Sequence, residues 1–249
     1  MKVQLITYTP DPERVVATAA HLCYSKKSIN EILDDMNSDK AEKLIKKIVD
    51  MGHISPLEHI SFTFGIEGIS RSCLAQLTRH RIASYSVQSQ RYLSMEEFEA
   101  IIPTELQFTE NEEIFQNTIE TITSAYKEIH KNIKETYQSR GLSERDSTSI
   151  ANETARSLLP NATPTNLIMT MNARSLLNFL SLRMCERAQD EIRFLAYQML
   201  ILVYPIAPNI FKKAGPPCIR GNCPEGALSC GKPEKIRTDV ETYKNLTLV

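Results

Sequence analysis

"HISFTFGIEGISRSCLAQLTRHRIASYSVQSQRY", residues 59–92, decides the fold class. Its first twelve residues alternate apolar and polar side chains, the period of a strand with one face against a core. Ser70 then stands where a cap belongs, ahead of a short helix over RSCLAQLT. That helix delivers the chain into a loop, residues 78–92, in which Arg79, His80, Arg81 and Arg91 sit among three serines and two tyrosines with no carboxylate.

Working outward, Val3 to Tyr8 alternates like a strand, and Pro10 and Asp11 open a helix over 11–25. A second helix fits 39–52, with Leu44, Ile45 and Ile48 at helical spacing and Gly52 as its stop. Residues 110–138 carry Ile114, Ile119, Ile122, Tyr126, Ile129 and Ile133 at intervals of three, four and seven, a long amphipathic helix closed by Gly141. Residues 165–171 are a short β-branched run, followed by Asn172 as a cap and by mostly helix to 204. Few strands among many helices, without regular βαβ alternation, make an α+β domain. A single catalytic domain over 1–213 is expected, with 214–249 an irregular tail rich in Cys, Gly and Pro. No G-x-G-x-x-G or G-x-x-x-x-G-K-[ST] cradle is present.

With 29 basic and 30 acidic residues the formal net charge is -1, so any basic function is local. The run over 199–208 is about half the ~20 residues a membrane-spanning helix needs, which points to core and to no membrane partner. The amino terminus enters a strand directly with no leader pattern, and a cytoplasmic location is expected. Cys218, Cys223 and Cys230 are spaced C-x4-C-x6-C. Zinc prefers four ligands in tighter pairs, so no metal is expected.

From Gly68 to Met95, and again from Ala155 to Cys185, there is no Asp, Glu or Lys. Seven of the fourteen arginines lie in these two windows: Arg71, Arg79, Arg81, Arg91, Arg156, Arg174 and Arg183. Ordinary surfaces mix both signs and use lysine freely. Guanidinium is planar, permanently charged and weakly hydrated, and it forks onto phosphate with two parallel hydrogen bonds. Pairing with Glu58, Glu67 or Glu186 accounts for one or two of the seven, and a ligand should neutralise the rest. Asn178 and Arg183 interrupt an apolar helix; burying the amide unpartnered costs about 2–7 kcal/mol, so both should have partners. Arg183 and Arg187, at i and i+4, could form one cationic wall. Arginine with small hydroxyls fits a small phosphorylated ligand better than a nucleic-acid groove.

RHRIASYSVQS (79–89) resembles the RHR-x7-S signature of the flavin-dependent thymidylate synthases. GHISPLEH (52–59), ARSLLP (155–160) and NARSLLNFLSLR (172–183) resemble further blocks of that family, in order. The resemblance implies a mainly antiparallel sheet with a helical bundle, and a homotetramer with active sites between subunits. Each site would bind FAD, dUMP, methylenetetrahydrofolate and NADPH. Carried over, Ser55, Arg79, His80, Arg81, Ile82, Asn172, Arg174 and Asn178 would contact FAD, with His53 near the flavin ring. Gln76, Arg79, Ser89, Gln90, Arg91 and Arg156 would hold the nucleotide, the 87–91 segment reaching in from a neighbouring subunit. Arg183 would meet the uracil edge and stabilise the N3 anion. Ser86-Val87 stands where the family commonly has Asn-Glu, so that glutamate's side-chain contact is not carried over and Val87 has only a backbone contact to inherit; Gln88 is a further candidate in the same segment. Arg187 stands where some members carry histidine. Two rivals remain at the level of sequence: a single-strand nucleic-acid binder using Tyr85 and Tyr92 as stacking platforms, and a flavoprotein NADPH oxidase without methyl transfer.

Overall fold

The computed structural model describes residues 1–246. The described residues divide into two compact units built from discontinuous segments: residues 1–66, 78–85 and 168–246 in the first, 67–77 and 86–167 in the second. Composition suggested a boundary at 213, but the tail belongs to the first unit.

The elements run β1 (Lys2–Tyr8), α1 (Pro12–Leu22), α2 (Ile29–Asp35), α3 (Ser38–Asp50), β2 (Ser61–Ser70), α4 (Arg71–Leu77), β3 (Ala83–Val87) and α5 (Glu110–Ser139). They continue with α6 (Glu144–Ala155), β4 (Pro164–Asn172), α7 (Ala173–Arg183), α8 (Asp190–Val203), α9 (Pro208–Phe211) and α10 (Pro233–Lys244). One sheet has the order β1-β2-β4-β3. Thr63 and Thr170 share a side-chain hydrogen bond of 2.9 Å, and the Gly68 N–H donates to Asn166 Oδ1 at 2.9 Å. Rising numbers on β2 thus meet falling numbers on β4, an antiparallel register. The α+β class and antiparallel sheet expected from the sequence are what the chain adopts.

In the first unit, Phe62, Phe64 and Ile66 of β2 are fully buried with Leu176, Phe179 and Leu180 of α7. Phe62 meets Phe211 edge-on with centroids 5.5 Å apart. Each such aromatic contributes about 1.5–3 kcal/mol by leaving water. Gly65 lets β1 approach β2 closely, since a Cβ there would stand 3.1 Å from Gln4 Nε2 and 3.3 Å from Ile6 Cδ1. In the second unit α5 packs on α6. Tyr126 is fully buried, its hydroxyl accepting from the Met95 N–H at 3.1 Å.

Five elements were not anticipated, the short α9 (Pro208–Phe211) among them. α2 is opened by a capping box: Ser28 accepts from the Glu31 N–H while the Glu31 carboxylate accepts from Ser28. α6 starts on Ser143, which accepts from the Asp146 N–H at 3.1 Å. β3 occupies part of the stretch expected as loop, and α10 occupies part of the tail expected as irregular. Ile236 and Val240 hold α10 down, at 1% and 2% exposure. Among the described residues no helix is long and apolar enough to cross a membrane.

Candidate active site

α7 builds one wall. Asn172 caps it, its Oδ1 accepting from the Ser175 N–H at 2.8 Å. Ala173, Leu176, Phe179 and Leu180 turn into the core, while Arg174, Asn178, Ser181 and Leu182 recur at helical spacing along a cavity of about 1150 Å³. Asn178 is therefore exposed on the cavity face rather than buried, so it needs no protein partner.

The rest of the lining comes from the segment after α3 and from the link between α4 and β3. Gly52, with φ 74, turns the chain into Ile54 and Glu58, and Arg79, His80, Arg81 and Ile82 complete the cavity. Arg79, His80, Arg81, Ile82, Asn172, Arg174, Asn178 and Arg183 thus line one space. His53 and Ser55 line a neighbouring cavity of about 730 Å³, to which Gly52, Ile54 and Arg174 are common.

Charge is distributed unevenly round this space. Arg174 pairs with Glu58, and Lys213 pairs with Asp50. Among the described residues no carboxylate pairs with Arg79 or Arg81. Arg183 Nε donates to His80 Nε2 at 3.0 Å, which requires a neutral imidazole. Burial, and then the Arg183 charge, push the His80 pKa down to about 4. His80 is edge-on to Phe179 with centroids 5.0 Å apart, and its carbonyl accepts from the Tyr85 hydroxyl at 2.9 Å. Burial pushes the Tyr85 pKa up to about 12, so that donor keeps its proton. His80 is therefore fixed at both ring and backbone, and it fixes Arg183 in turn.

The second unit holds the other predicted residues. Arg71 Nη2 donates to the Gln88 carbonyl at 2.9 Å. Gln88 is tied to β4, its N–H donating to the Asn166 carbonyl at 3.0 Å and its Oε1 accepting from the Asn166 N–H at 3.2 Å. Burial and the neighbouring Arg156 charge both lower the Arg71 pKa. Arg91 pairs with Glu153 at 3.3 Å. Arg71 Nε and Gln90 Nε2 are buried without a hydrogen-bond partner. A part-buried guanidinium that feels a second positive charge, and donors left unmet, are what an anionic ligand resolves. Gln76 ends in the same unit on α4, and Val87 and Ser89 are half-buried at and just beyond the end of β3.

Arg187 is not in the cavity. α7 ends at Arg183, so the helical i,i+4 relation fails, and Arg187 pairs instead with Glu225. Sequence reasoning missed Lys213 and Arg220 as lining residues, because no local spacing links them to α7.

Comparison with known proteins settles the family. Residues 4–209 match the family model described as thymidylate synthase complementing protein. The flavin-dependent thymidylate synthase of Clostridium tetani is 48% identical over 238 residues, 95% of this chain and 96% of that one. This chain belongs to the flavin-dependent thymidylate synthase family. The family member from Geobacter sulfurreducens is 44% identical over 240 residues, 95% of this chain and 97% of that one. The structure of the flavin-dependent thymidylate synthase of Helicobacter pylori complexed with FAD and dUMP is similar with a TM-score of 0.59 and 26% identity, covering 86% of this chain and 100% of that one. As a flavin-dependent thymidylate synthase, the chain is an enzyme combining methyl transfer with redox chemistry.

Proposed function

We propose that the chain converts dUMP to dTMP with FAD as cofactor, methylenetetrahydrofolate as one-carbon donor and NADPH as reductant. The carrying observation is the 1150 Å³ cavity, on which Arg79 and Arg81 stand without a carboxylate partner among the described residues. A pyrophosphate fits that deficit in charge and in geometry. Arg79, His80, Arg81, Ile82, Asn172, Arg174 and Asn178 hold FAD, and Ser55 and His53 extend the site through the adjoining cavity. When bound, the flavin supplies hydride chemistry, while the chain binds, orients and charges the reacting groups.

Arg183 is the catalytic residue of this reading. Its Nε is committed to neutral His80, which aims the guanidinium for the uracil edge, where a fixed positive charge favours the N3 anion. Gln76, Arg79, Ser89, Gln90, Arg91 and Arg156 hold the nucleotide, the 87–91 segment reaching in from a neighbouring subunit and Arg156 serving as the phosphate seat. Val87 contributes backbone. Arg187, paired with Glu225, is left out.

The enzyme works in the cytoplasm as a homotetramer, with no nucleic-acid partner. Phe108 at 99% exposure and Ile114 at 64% support the assembly, since large apolar side chains in water gain from contact with another copy. Six free cysteines support a reducing compartment. The test is purification, a visible flavin spectrum, and dUMP-stimulated NADPH oxidation with dTMP as product. A colourless protein that takes up no FAD sinks the reading. NADPH oxidation without dTMP makes it an oxidase instead.

A further inference from the structure

The cysteine-rich segment has no role so far, yet one of its side chains lines the same cavity. Arg220 stands between Cys218 and Cys223, beyond the residues 4–209 that match the family model. It borders the 1150 Å³ space with Arg79, Arg81 and Lys213. Its backbone is held from both sides. Arg237 of α10 donates to the Cys218 carbonyl through Nε and Nη2 at 3.1 and 3.0 Å, and to the Gly221 carbonyl through Nη2 at 3.3 Å. Arg220 Nη1 donates to the Lys213 carbonyl at 2.6 Å, which anchors one arm of the fork. Packing beneath is tight, since a Cβ on Gly215, with φ 129, would stand 2.9 Å from Ile219 Cδ1 and 3.4 Å from Val240 Cγ2. Lys213 is paired with Asp50 and Arg174 with Glu58, but no carboxylate among the described residues pairs with Arg220.

A guanidinium placed by a dedicated clamp, anchored through one nitrogen and lacking a counter-charge, is arranged to receive an oxyanion. We infer that Arg220 is an anion-binding residue of this cavity, taking a phosphate or carboxylate carried on the outer part of a co-substrate. The inference rests on the function proposed above, within which two co-substrates carry such a group: the 2′-phosphate of NADPH and the glutamyl carboxylates of the folate.

The experiment uses the full chain loaded with FAD. Wild-type dTMP formation is measured first; its absence defeats the proposed function rather than the role of Arg220. KM values for NADPH, NADH, dUMP, and mono- and triglutamyl methylenetetrahydrofolate are then compared between wild type and Arg220→Gln, together with FAD affinity. One co-substrate KM is expected to rise about tenfold, as for loss of one charge-assisted hydrogen bond, with kcat moving far less. Collapse of the NADPH-over-NADH preference identifies the phosphate, and collapse of the triglutamate preference identifies the carboxylate. Arg220→Lys, which keeps the charge, recovers most of the loss. Arg237→Met, which releases the clamp, reproduces a smaller rise in the same KM. Co-substrate KM values within twofold of wild type overturn the proposal, as does a loss confined to FAD or dUMP. Equal losses in the Gln and Lys variants, with lowered melting temperatures, assign Arg220 a structural role and overturn it too.

Discussion

The arginines of the two units meet their charge in different ways. In the first, Arg79, Arg81, Arg174 and Arg183 are spread round a cavity, one paired with Glu58 and one bonded to a neutral histidine. In the second, burial and then the Arg156 charge lower the Arg71 pKa. The same residue-level bias therefore yields an open cationic lining in one place and a part-buried arginine, weighed on by a second cation, in another. The first suits an extended ligand with several polar groups. The second suits a single compact anion, since a charge of opposite sign offsets both the burial of Arg71 and the field of Arg156.

The largest effect separates chemistry from binding. Arg183→Ala should keep its flavin spectrum while dTMP formation falls on the order of 100- to 1000-fold, the scale for removing one preorganised electrostatic group. Unchanged turnover removes Arg183 from its role. Next, Arg156→Ala should raise the KM for dUMP about 30-fold with FAD content unchanged. Loss of FAD with an unaltered dUMP KM breaks the division of labour between the two regions. A thermal melt sharpens the same point: inorganic phosphate at a tenfold excess over its Kd should raise the apo-protein melting temperature by about 3 °C, and should not do so in Arg156→Ala.

His80 adds a pH signature to the first region. Its folded pKa, about 4, lies below the ordinary value near 6.5, so between these the unfolded chain binds more protons. Stability should be full above about pH 6.5 and decline as pH falls towards 4, and His80→Gln should flatten that part of the urea-denaturation profile. A slope that survives the substitution assigns it to other groups. Smallest is Glu58→Gln. The Arg174 pair is about half exposed, where ion pairs contribute roughly 0–1 kcal/mol, so FAD affinity should change less than about threefold.

Much of the site could be read in advance where signals were local. β2, α4 and its Ser70 cap, α5, and the β4 to α7 passage through Asn172 each follow from periodicity and capping within a few residues. The two acid-free windows marked seven arginines, of which Arg174 and Arg91 find carboxylate partners. β3 does alternate, Ala83, Tyr85 and Val87 with Ser84 and Ser86, but the run is only five residues long inside an arginine-rich stretch read as loop, and it is the pairing with β4 that makes it a strand. The Arg183–Arg187 wall failed because the helix stops between them.

By itself, the sequence determined the secondary-structure class, the arginine supply and the family, since these depend on residue identity and short-range spacing. The tertiary structure alone decided that His80 accepts from Arg183 across 103 positions, that Arg71 donates to the Gln88 carbonyl, and that Arg220 reaches the cavity. Such contacts are fixed by core packing between distant segments, and no local pattern of side chains encodes them.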